Sequence, residues 1–79
     1  MNVILNQEFK TVKIIDDEGN YLIWRRNIDM IRSFGTVDGR EFKGSTLVWL
    51  SKGRGRAKES TWDKVYAIEN YFKSNSFNL

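Results

Sequence analysis

The chain reads as a small α+β domain: a small antiparallel sheet or SH3-like partial barrel of about five strands, with one C-terminal helix. Three observations predict it. Short runs rich in strand formers, one of them strictly alternating, are separated by turn residues. Asp38-Gly39 is a two-residue hairpin signal, because both positions adopt positive φ cheaply. Trp62, Val65, Ile68 and Phe72 fall on one face of a helix, and Tyr66 widens the stripe.

Taken in order, Lys10-Thr11-Val12-Lys13-Ile14 alternates, with Val12 and Ile14 on one face and Thr11 and Lys13 on the other. This is the pattern of a half-buried strand. Asp16-Asp17-Glu18-Gly19-Asn20 breaks it with turn residues, and Tyr21 to Arg25 returns as a second strand of a hairpin. Residues 28 to 31 fit either a helical turn or the start of a strand. Ile31 to Val37 reads as a third strand, weakened by Gly35. Arg40 to Lys43 is a short fourth, and Thr46 to Ser51 is the most apolar candidate for a central strand. Lys52-Gly53-Arg54-Gly55 is its turn, with Arg56 to Lys58 placed to pair back. Ser60 is the expected N-cap, with Asp63 three residues on. The helix is expected to end near Lys73, followed by a frayed tail over residues 74–79.

A chain of 79 residues makes one domain, 1–79, with a thin core. It contains neither cysteine nor histidine, so disulfides, thiol nucleophiles, imidazole bases and the usual zinc ligands are all missing. Ser45, Thr46 and Ser51 have no histidine to activate them. Glycines 53 and 55 lack the lysine–serine ending of a phosphate loop. The triplet Asp16-Asp17-Glu18 lacks calcium-loop spacing and reads as a solvated hairpin tip. The expectation is a binding module, not an enzyme, with no cofactor. No apolar run approaches the length of a membrane span, and the N-terminal stretch is too short and uncharged for a leader. A soluble, cytoplasmic protein without membrane contact is expected, whether native to that compartment or delivered there by a mobile element.

The net charge of +3 is unevenly spread. Residues 40–58 carry six Lys/Arg against Glu41 alone, whereas the segments on either side are each close to neutral. The candidate site is therefore Arg40, Lys43, Lys52, Arg54, Arg56 and Lys58, the last four in and beside a glycine turn suited to close approach to phosphates. The bland alternative is a solvated turn that blunts an edge strand. Trp24, beside Arg25 and Arg26, and Trp49, just upstream of the basic turn, are the candidate stacking aromatics. Such rings more often belong to the core, and the sequence leaves that choice open.

Asn27-Ile28-Asp29-Met30-Ile31, the strand ending Leu50-Ser51-Lys52-Gly53, and the helix start Lys58-Glu59-Ser60-Thr61-Trp62-Asp63-Lys64-Val65 together resemble small FlbD-type flagellar-associated proteins. The resemblance covers residues 21 to 72, implies a strand–turn–helix arrangement, and carries over no catalytic residue. Thr11-Val12-Lys13 and Gly53-Arg54-Gly55 are similar to small archaeal chromatin proteins, which would imply DNA binding through a sheet face. The functional expectation is a nucleic-acid-binding or regulatory protein using the 40–58 surface. The alternative is a phage or mobile-element inhibitor that occludes a host protein at an acidic surface or nucleic-acid-binding groove. Edge strands in so small a sheet also make a homodimer an expectation.

Overall fold

A computed structural model of the chain describes residues 1–26, 28–44, 57–75 and 77. Five strands run as an antiparallel meander: β1 (Asn2–Asn6), β2 (Thr11–Ile15), β3 (Tyr21–Arg26), β4 (Ile31–Val37) and β5 (Arg40–Gly44), in the spatial order of the sequence. The helix α1 (Glu59–Asn75) packs across β2, β3 and β4. The fold is thus an open antiparallel sheet covered on one face by a C-terminal helix.

Period-two alternation decides which side chains the helix covers. Val12, Ile14, Leu22, Trp24, Val37 and Phe42 are buried from the sheet, and Trp62, Val65 and Ile68 meet them from α1. Each fully buried aliphatic contributes about 1.5–3 kcal/mol. The register lines these residues up: Ile14 opposes Leu22, Leu22 opposes Gly35, and Gly35 opposes Phe42. Trp24 stacks flat on Phe72, with ring centroids 4.1 Å apart. Phe42 meets Trp62 edge-on at 5.2 Å.

Glycine is required at 35, in the middle of β4. A Cβ there would run into the Tyr21 carbonyl oxygen and come within 2.8 Å of Leu22 Cα. The weak point of the expected third strand is therefore a place where any side chain would collide with the backbone of β3.

The turns obey local chemistry. Asp38 and Gly39 both have positive φ, as the hairpin signal requires. In the β1–β2 turn, Phe9 N–H donates to Asn6 Oδ1 at 3.0 Å, and Lys10 closes the loop at φ 53°. In the β2–β3 turn, Asp16 organises the backbone. Its Oδ1 accepts from the N–H groups of Glu18 and Asn20, each at 2.9 Å, and its Oδ2 accepts from Asn20 Nδ2 at 2.9 Å.

Those turns also hold the helix. Asn20, buried, accepts from Asp38 N–H through its Oδ1 at 2.8 Å. Asp38 Oδ2 accepts from the Thr61 hydroxyl, and Asp38 Oδ1 from Lys64 Nζ, each at 2.7 Å. Lys64 reaches Glu18 as well, at 3.3 Å. Hydrogen bonds from Lys64 and from Thr61 hold the Asp38 carboxyl below its ordinary range, and the bond to Asp38 holds the Lys64 ammonium above its own. One clasp joins two hairpin turns to the first turns of α1.

Several expectations need correction. The apolar run Val3-Ile4-Leu5, which local pattern marks only as too short for a leader, lies in a strand, β1. Lys58, not Ser60, occupies the N-cap position, because its carbonyl accepts the first helical bond from Trp62 N–H at 3.1 Å. Ala57 and Lys58 are not in a strand. Helix α1 continues to Asn75, and Phe77 beyond it packs on Phe72, with centroids 6.0 Å apart. The expected strand over 46–51 and its turn lie outside the described residues.

Candidate functional site

The face of the sheet away from α1 carries five of the described charged side chains: Lys13, Arg25, Arg32, Glu41 and Lys43. Alternation that sends Val12, Ile14, Leu22 and Trp24 toward the helix sends their neighbours the other way. The register then assembles three rows. The central row is Ile4, Lys13, Ile23, Phe34 and Lys43, one residue from each strand. On one side lie Ile15, Tyr21, Thr36 and Glu41; on the other, Thr11, Arg25 and Arg32. No element among the described residues lies over this surface.

Four cations and two aromatic rings therefore share the face with a single carboxylate. Phe34 is 42% exposed. Lys13 Nζ sits over the Tyr21 ring, 4.4 Å from its centroid, a cation–π contact. Lys43 reaches Glu41 at 3.7 Å, both side chains well exposed, and such a pair is worth little. Arg25 and Arg32 are directly opposed across β3 and β4, both exposed. Neither has an ion-pair partner among the described residues. Like charges placed opposite one another destabilise a sheet, so this pair works against the fold.

The structure separates the sequence-predicted residues. Trp24 is corrected: at 2% exposure, under Phe72, it belongs to the core and has no face left for a base. Lys43 lies on the uncovered face. Arg40 is exposed beside the Asp38-Gly39 turn, and opposes Val37 on the helix side of the sheet. Lys58 is exposed at the start of α1, near enough to Asp38 to favour its ionised form. Arg40 and Lys58 thus cluster at the turn end, away from the row that holds Lys43. Trp49, Lys52, Arg54 and Arg56 lie outside the described residues.

Sequence reasoning missed Lys13, Arg25, Arg32, Tyr21 and Phe34 as a group. Their strand parity was legible one strand at a time, since Lys13 opposes the Val12–Ile14 face. What brings them together is cross-strand register, which no local pattern encodes.

A second exposed feature lies at the end of the sheet that carries the β1–β2 and β3–β4 turns. Leu5, Phe9, Ile28, Met30 and Ile31 are all exposed there, Ile28 to 95%. No family model matches the chain, and no curated protein or solved structure matches it either.

Proposed function

We propose that this protein is a small, non-enzymatic nucleic-acid-binding module. It contacts phosphates with the uncovered sheet face, to which Lys43 of the basic stretch over 40–58 belongs. The observation that carries this reading is the Arg25–Arg32 pair, flanked by Lys13 and Lys43 and by Tyr21 and Phe34. An open sheet face with cations around two aromatic rings suits a phosphate backbone with unstacked bases. The destabilising arginine opposition is the kind of local conflict that marks a site and not a scaffold.

The test is fluorescence anisotropy with a labelled single-stranded oligonucleotide and its duplex, between 50 and 200 mM salt. Four phosphate contacts to a single strand give a log–log salt slope of about −2.8, which is a loss of roughly 50-fold over that range. The double variant Arg25→Gln, Arg32→Gln should bring the slope to about −1.4 and the loss to roughly 7-fold. Absence of binding at 50 mM salt, or an unchanged slope in the double variant, would overturn the reading.

A second reading rests on the apolar end around Ile28. Exposed Leu5, Phe9, Ile28 and Met30 suit a protein partner, as in an inhibitor that occludes a host protein. On that reading Ile28→Ser and Phe9→Ser abolish capture of one host protein, while the arginine variants retain it.

A further inference from the structure

Among the described residues the sheet ends in β1 on one side and β5 on the other, and these two strands are not alike. β5 carries Arg40, Glu41 and Lys43, all exposed, and charged side chains are the common protection of an edge strand. β1 carries none: Asn2-Val3-Ile4-Leu5-Asn6 has no charge, no proline and no glycine. Ile4 and Leu5 are more than half exposed, and no strand among the described residues pairs with the outer side of β1. An uncharged five-residue edge with three successive apolar residues is a template for another strand.

The order of residues says which strand. Read backwards, β1 has the same types in the same places: asparagine, aliphatic, isoleucine, aliphatic, asparagine. An antiparallel pair of two such strands about a two-fold axis at Ile4 sets Asn2 against Asn6 of the partner subunit. Val3 then meets Leu5 of the partner subunit, and Ile4 meets Ile4 of the partner subunit. Every opposed pair is matched in polarity, and no like charges meet, which is what an isologous contact needs. We infer that the occupant of the β1 edge is a second copy of this chain, joined to form one continuous ten-strand sheet. Because Ile4 lies in the central row of the uncovered face, the two basic faces become one surface on the same side. The inference stands on edge chemistry and does not depend on nucleic-acid binding. An edge contact alone is small, so the dimer is a weak one.

Sedimentation or light scattering on the full chain should show the mass rising with concentration from 9.3 kDa toward twice that value. Ile4→Lys places two ammonium groups at the axis and should hold the mass at that of one chain. Ile4 is exposed, so circular dichroism should show the fold kept. The chain contains no cysteine, so Ile4→Cys gives a single thiol. At the axis, opposed Cβ atoms lie about 4.5–5.5 Å apart, close to disulfide reach. Mild oxidation should link Ile4→Cys on the order of tenfold faster than Lys43→Cys on the β5 edge, since the first pair is held together before it reacts. A chain that stays monomeric up to its solubility limit would sink the inference. So would a dimer that survives Ile4→Lys, or equal cross-linking at the two edges.

Discussion

Replacing Gly35 by alanine tests the packing argument at its tightest point. In an ordinary strand, alanine is better than glycine by about 0.5–1 kcal/mol, through the entropy of the unfolded chain. Here the added methyl meets the Tyr21 carbonyl, lies 2.8 Å from Leu22 Cα and 2.9 Å from the Tyr21 carbonyl carbon. All three are backbone atoms, so no side chain can rotate away. Relief requires β3 and β4 to separate at the pair that aligns Leu22 with Phe42. Overpacking of this kind costs about 1–3 kcal/mol, and each ladder hydrogen bond lost adds about 0.5–1.5 kcal/mol. After the entropic gain is subtracted, Gly35→Ala should destabilise by about 2–3 kcal/mol.

Urea unfolding followed by far-ultraviolet circular dichroism is the assay. With a slope near 1 kcal/mol/M for a small domain, the midpoint should fall by about 2–3 M, and Tm by roughly 10–20 °C. Gly19→Ala and Gly39→Ala are the controls. Both glycines have positive φ but nothing within 4 Å of a Cβ, so each change should cost only the left-handed penalty of about 1–2 kcal/mol. A Gly35→Ala variant as stable as the parent, or less damaged than Gly19→Ala, would refute the close approach of β3 and β4.

Two further changes probe the turns. Asp38 has a lowered carboxyl pKa when folded, so its contribution is complete above the ordinary value of 3.8 and is lost as pH falls through the lower folded value. Asp38→Asn should therefore lower stability at neutral pH and flatten the loss of stability below pH 3.8, read by circular dichroism across an acid titration. Lys10 holds φ 53° without being glycine, so Lys10→Gly should raise the urea midpoint by an amount worth about 1 kcal/mol.

What could be read in the sequence follows from whether the information is local. β2, β3, β4 and β5 lie within a residue or so of expectation, because alternation, the five-residue turn and Asp38-Gly39 are local signals. Trp62, Val65 and Ile68 were legible as core for the same reason. β1 was not, since Val3-Ile4-Leu5 is a continuous apolar run and only its pairing with β2 makes it a strand. The helix start shifted from Ser60 because Thr61 and Lys64 are committed to Asp38, so tertiary bonds and not the best capping residue set the first turn. The packing of Phe77 is not legible locally, because its partner Phe72 is placed by the stacking of α1 against Trp24. The uncovered face needed the register of all five strands at once.

The stability of this domain comes from one side of the sheet and one end of it. The helix covers the buried stripe, and the Asp16–Asn20–Asp38–Thr61–Lys64 clasp locks the turn end. Neither uses Arg25 or Arg32, which are both exposed, so changes at that pair cost the fold little. That freedom makes the choice of Arg25 opposite Arg32 informative. A surface under no constraint but solubility would place opposite charges across the pair and gain a little stability. Neutralising both arginines should therefore stabilise the domain slightly while it weakens phosphate binding. Stability and binding moving in opposite directions is the behaviour of a site that folding does not require. A surface used only for solubility would lose nothing when the pair is removed.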